Sequence, residues 1–210
     1  MKKHRTVWGL VAAALGVTLL LVGVATASNM GFKFVPQIPG TAGANAYNLS
    51  LPWNNNYTDA NSLLTDISGA QKVSQFAPNG VLVSWVSGIG GNDFTIRKGE
   101  AYIVSGGPSG AQPVIVGSHD PSFTFTFTAG QAFNASAPYH QTLTNANALY
   151  TSIQTACPGS APKVSKFTSN GVLQSWLGDV GSGTNFDLQL GMGVIIVPKA
   201  TCSGYVWPHY

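Results

Sequence analysis

Apolar and polar positions alternate most cleanly from Ser122 to Thr128, where Phe123, Phe125 and Phe127 face one way and the threonines the other. That period of two predicts a half-buried strand. Met30-Gly31-Phe32-Lys33-Phe34-Val35 repeats the pattern more weakly, with Phe32 and Phe34 matching Phe123 and Phe125 at an offset of 91. Helical spacing takes over at Ala60, Leu63, Leu64 and Ile67, and again at Ala146, Leu149, Tyr150 and Ile153. Thr58 and Thr144 are the expected N-caps. Helices this short are marginal alone, so each must lay its apolar stripe on a sheet.

The same pattern is written twice. Val73-Ser74-Gln75-Phe76, Asn79-Gly80-Val81-Leu82 and Ser84-Trp85 return as Val164-Ser165-Lys166-Phe167, Asn170-Gly171-Val172-Leu173 and Ser175-Trp176. Phe94, Gly99 and Val104 return as Phe186, Gly191 and Ile196. Upstream, Ala46 to Trp53 answers Ala132 to Tyr139, each a short strand ended by a proline. Each copy predicts strand, strand, helix and two hairpins. The first hairpin turns at Asn-Gly, and the second runs from Phe94–Ile96 to Tyr102–Val104, or from Phe186–Leu188 to Val194–Val197. The fold class is mainly β, a β-rich α+β chain of two tandem sheet units with one short helix each. Residues 28–106 form the first unit and 122–210 the second. The Gly-, Pro- and Ser-containing span 107–121 links them, and its Pro113-Val114-Ile115-Val116 is a candidate extra strand.

Before the repeats, Lys2, Lys3, His4 and Arg5 lead into an apolar run from about Val7 to Val24 and a small-residue pattern, Ala25-Thr26-Ala27. Residues 1–27 read as a secretory signal peptide. The alternative is an uncleaved anchor near the lower length limit for spanning a bilayer, the one route to a membrane partner. The segment Tyr47-Asn48-Leu49-Ser50-Leu51-Pro52, taken with Lys98-Gly99-Glu100-Ala101-Tyr102, resembles tandem repeats of exported bacterial surface proteins. Those repeats have an aromatic-Asn-Leu-x-Ser-Leu-Pro strand, a helix, a Trp hairpin and a Gly-Glu-Ala-Tyr strand. The resemblance implies an exported, surface-associated role and brings no catalytic residue. The second copy departs from it, with Ala137 for Leu51, Met192 for Glu100 and Val194 for Tyr102.

Export changes the charge argument. Of ten basic residues, Lys2, Lys3 and Arg5 lie in the leader, whereas all seven acids lie beyond it, so the remaining chain is formally neutral. A chain without a basic cluster offers little to a phosphate backbone, which argues against a nucleic-acid partner. Weak charge repulsion between copies leaves self-association through strand edges open. The two cysteines, Cys157 and Cys202, both fall in the second unit and predict a disulfide, with free buried thiols as the alternative.

The seven carboxylates, Asp59, Asp66, Asp93, Glu100, Asp120, Asp179 and Asp187, are scattered over predicted turns and helix ends. His119-Asp120 is adjacent in sequence but has no nucleophile motif beside it, so no catalytic residue is assigned and an enzyme is not expected. The ligand-site candidate is Trp53-Asn54-Asn55-Asn56-Tyr57, because aromatic faces stack on sugar rings while amides supply paired donors and acceptors. Its alternative is a polar loop between two anchoring aromatics. Asn54 to Asp59 lacks the acid density a calcium ion prefers, and no metal or cofactor is expected. The sequence thus points to an exported, non-enzymatic structural or surface component, extracellular or on the cell surface with the periplasm as a further destination. The alternative is a carbohydrate-binding or adhesion module, with a glycan as partner.

Overall fold

The computed structural model describes residues 31–40, 46–77 and 79–210; the segment 1–27, read from the sequence as a signal peptide, lies outside them. The first repeat contains β1 (Phe32–Phe34), β2 (Tyr47–Ser50), α1 (Ala60–Asp66), β3 (Ala70–Phe76), β4 (Leu82–Val86), β5 (Gly90–Gly91), β6 (Ala101–Gly106) and β7 (Ile115–Gly117). The second contains β8 (Phe125–Phe127), β9 (Phe133–Ala135), α2 (Ala146–Ala156), β10 (Lys163–Phe167), β11 (Leu173–Leu177), β12 (Ser182–Gly183), β13 (Val194–Val197) and β14 (Cys202–Tyr205). Each repeat makes a five-stranded antiparallel sheet, β2-β6-β3-β4-β5 or β9-β13-β10-β11-β12, and a two-stranded ribbon, β1-β7 or β8-β14.

The duplication holds at the level of single contacts. Val73 faces Trp85 and Val164 faces Trp176 across equivalent strand pairs. The Trp85 indole N–H donates to Asn61 Oδ1 and that of Trp176 to Asn147 Oδ1, both at 3.1 Å. Ser74 and Ser84 hydroxyls meet at 2.8 Å, as do those of Ser165 and Ser175. The phenylalanine runs also correspond: Phe34 pairs with Ile115 and Phe125 with Tyr205, and burial alternates identically over 31–36 and 122–127. The first helix region buries its expected stripe, Ala60, Leu63, Leu64 and Ile67, whereas the second buries Ala146, Leu149 and Ile153 and leaves Tyr150 half-buried.

Several expectations change. The helix caps are Asp59 and Asn145, whose side-chain oxygens accept from Ser62 N and Ala148 N at 2.7 and 2.9 Å; Thr58 and Thr144 stand one residue too early. The first hairpins do turn at Asn79-Gly80 and Asn170-Gly171 as expected. Ala77 N bonds Val81 O and Gly80 N bonds Ala77 O, with the same pattern from Thr168 to Val172, and Gly80 and Gly171 both take φ of +78°. The second hairpins are absent. Phe94–Ile96 instead crosses to the helix start, where Ile96 N donates to Thr58 O and Phe94 O accepts from Ala60 N, and β6 then returns between β2 and β3. The span 107–121 supplies β7, which closes the first ribbon as β14 closes the second.

The largest departure is how the repeats join. β2 pairs with β6 on one side and on the other meets the residues leading into β13: Ser50 N donates to Gly191 O at 2.9 Å and Gly193 N to Asn48 O at 2.7 Å. β9 does the reciprocal, with Ser136 N donating to Gly99 O at 2.8 Å and Ala135 bridging Glu100. Strand contacts therefore close a ring, β2-β13-β9-β6, around a pseudo-two-fold axis. Ser50 and Ser136 hydroxyls meet on that axis at 2.6 Å, and Ala101 faces Gly193, where an added Cβ would lie only 2.2 Å from the alanine's. Two sheet edges that would be open in separate units are thus covered. The ribbons lock the same joint from outside. A Cβ on Gly191 would come within 2.5 Å of the Phe34 ring, and one on Gly99 within 2.3 Å of the Phe123 ring, so each repeat's phenylalanine fits over the other's bare glycine.

Candidate functional site

The loop after β2 was the sequence's ligand candidate, and the structure gives it another role. Trp53 is 3 % exposed and sits in the second repeat's core, with Phe123 and Phe125 at ring-centroid distances of 5.0 and 5.6 Å. Its indole N–H donates to Ser136 O at 3.0 Å. A ring covered in this way cannot stack on an external sugar, which corrects the role assigned to Trp53. The polar residues are engaged too. Asn55 Nδ2 donates to Pro52 O at 2.7 Å while its Oδ1 accepts from Tyr57 N at 3.0 Å, a side-chain-closed turn. Asn54 Nδ2 donates to Ser118 Oγ at 3.1 Å, and Tyr57 OH donates to Asp66 Oδ2 at 2.5 Å. Asn56 remains exposed. Among the described residues, no group of three metal-ligating side chains is arranged to hold an ion.

Trp53 borders a cluster the sequence did not reveal. His119, His140 and His209, the histidines among the described residues, converge with ring centroids 3.9, 5.1 and 5.7 Å apart. They come from the former linker, the segment after β9 and the chain end, and nothing in their spacing announces a meeting. His119 is 3 % exposed and its Nε2 has no hydrogen-bond partner; His140 Nδ1 is also buried without one. His209 Nδ1 donates to Trp207 O at 2.6 Å. Burial, and then repulsion from His140 and His209, lowers the His119 pKa from 6.5 to about 4, with nearby Asp120 opposing. Burial and His209 lower that of His140 as well.

An acid-sensitive joint follows. A histidine whose pKa is lowered in the folded state takes up protons preferentially when unfolded, so its contribution is complete above pH 6.5 and declines toward about pH 4. The loss at His119 should reach up to roughly 3 kcal/mol. Asp59, Asp120 and Asp179 have pKa values below 3.8, so their contributions fade at lower pH. Glu100, raised from 4.5 chiefly by burial, acts in the opposite sense. Thermal melts between pH 7 and 4 should fall steeply, and His119→Phe should flatten that slope. An unchanged slope in the variant would remove the histidines as its cause.

Among the described residues, three hollows flank the joint. One of about 510 Å³ lies on the outer face of the first sheet, between Lys72, Leu82 and Ile103 and the second repeat's Phe167 and Gly171. The other two are related by the duplication. A hollow of about 200 Å³ includes Gln75, Phe76, Arg97, Glu100, Phe133 and Asn134. Its counterpart of about 280 Å³ has Lys166, Phe167, Gln189, Met192, Tyr47 and Asn48 at the matching places. No family model matches the chain, and no curated protein or solved structure matches it.

Proposed function

We propose that the chain is an exported, non-enzymatic structural component of the cell surface or extracellular space. The observation that carries this reading is the β2-β13-β9-β6 ring, which fuses two small repeats into one body whose loop amides and buried serines serve its own cohesion. The Cys157–Cys202 disulfide is compatible with an oxidising, exported location. The resemblance to exported surface repeats supports the same reading through Tyr47–Pro52 and Lys98–Tyr102. Self-association remains part of the proposal, restricted to edges the fold leaves available: the outer sides of the two ribbons and the short terminal strands β5 and β12. β8 pairs with β14 inside its own repeat, so that side of the strand is taken.

The test is cell fractionation of the tagged chain with N-terminal sequencing, followed by light scattering over a concentration series. The reading expects surface or medium fractions beginning near Ser28, and reversible oligomers. Recovery of the intact chain from the cytoplasm with its leader attached would overturn export; a monomer at every concentration would remove self-association.

A further inference from the structure

The two repeat-related hollows share a scaffold and differ in chemistry. In the larger, Lys166 Nζ leans on Met192 Sδ at 3.6 Å and Asn48 Oδ1 accepts from Phe167 N at 3.4 Å, so its amide oxygen is engaged. In the smaller, Asn134 is 6 % exposed, its Nδ2 donates to Phe76 O at 3.4 Å, and its Oδ1 is buried with no partner. Leaving a buried acceptor unpaired costs free energy, so this oxygen calls for a donor that the chain does not supply. Beside it, Tyr102 OH accepts from Arg97 N at 2.8 Å and donates to Glu100 Oε2 at 3.1 Å, while Arg97 Nη1 stands 3.7 Å from Glu100 Oε1. Tyr102 is fully buried, so this bracket holds the carboxylate in place. The second repeat has Gln189, Met192 and Val194 at these three positions and lacks the bracket.

We propose that the hollow framed by Arg97, Glu100 and Asn134 binds one neutral sugar ring, as a monosaccharide or the end unit of a glycan. The Arg97–Glu100 pair makes the hollow's charges cancel, which selects against an ionic ligand. Planar carboxylate, guanidinium and amide groups present donors and acceptors together, and neighbouring sugar hydroxyls, each able to donate and accept, match that mixture. Phe133 supplies an apolar wall for a ring's C–H face, and about 200 Å³ restricts the occupant to a single ring. This site is separate from the Trp53–Tyr57 loop and does not depend on the structural role proposed above.

The duplication provides the test. The secreted chain is titrated by calorimetry with glucose, galactose, mannose and N-acetylglucosamine, and screened on an array of neutral glycans. Arg97→Gln with Glu100→Met installs the residues the second repeat already folds with, so this variant should melt within a few degrees of the parent and bind at least tenfold more weakly. Glu100→Gln, which keeps the side-chain shape, should weaken binding in the same direction and serves if the double variant fails to fold. Gln189→Arg with Met192→Glu should leave the first site's affinity unchanged. Saturable binding that these changes at Arg97 and Glu100 reduce supports the site. Absence of binding across the panel and array, or undiminished binding in folded variants, overturns it without bearing on export.

Discussion

Replacing Trp53 with alanine should destabilise the folded chain by about 3–5 kcal/mol, the range for deleting a large aromatic from a closed core. The indole belongs to the first repeat by sequence but packs against Phe123 and Phe125 of the second, next to His119 at 5.7 Å. Its removal leaves a void in the second core and an unpaired Ser136 carbonyl at the pseudo-two-fold joint. For a body of this size the loss corresponds to a fall in melting temperature of about 10 °C or more. Asn56→Ala, on the same loop but exposed, should stay within about 0.5 kcal/mol of the parent. Urea titrations of both variants make the comparison. A Trp53→Ala protein as stable as the parent would mean that the two repeats are not joined through this ring.

Local chemistry was readable from the chain because it depends on neighbours in sequence. The Phe123–Phe127 alternation, the helical stripes ending at Ile67 and Ile153, and the glycines at 80 and 171 each obey a short-range rule, although the strand itself covers only Phe125–Phe127 and Ile67 caps its helix rather than lying in it. The repeat offset carried this further, because one pairing predicts its twin: Val73 with Trp85 implies Val164 with Trp176. What escaped was set by contacts across the chain. Phe94–Ile96 has the alternation of a strand, yet its hydrogen bonds go to the segment just before α1, since β6 is already paired on both sides by β2 and β3. The strand at Ile115 was readable within the linking span, but its partner was not, because Phe34 lies far back in the sequence.

The candidate site failed for a related reason. An aromatic followed by three asparagines describes a sugar-binding loop and a tightly closed turn equally well, and only the position of the Trp53 ring separates them. The Arg97–Glu100–Tyr102 bracket was visible as the point where the repeats diverge, Glu100 and Tyr102 against Met192 and Val194. Its meaning needed Asn134, contributed by the other repeat across a joint that no local pattern encodes.

Replacing both Cys157 and Cys202 with alanine should cost about 4 kcal/mol, the loop-entropy estimate for a crosslink of this span. The bond joins residues 45 apart, tying the C-cap of α2 to the first residue of β14, with Cα atoms 5.4 Å apart. Its effect is concentrated because β14 leads directly into Tyr205 and Trp207, both at most 1 % exposed and packed around Phe125. The first repeat holds its equivalent ribbon, β1-β7, without a crosslink. The double variant should therefore melt about 8–15 °C below the parent. Loss of protection should begin in residues 202–210, which hydrogen exchange can follow. Non-reduced peptide mapping of the parent should recover the Cys157–Cys202 cross-linked peptide. If the alanine variant keeps the parent's melting temperature and its protected C-terminal amides, packing of Tyr205 and Trp207 alone anchors the last strand, and the disulfide contributes little to holding it.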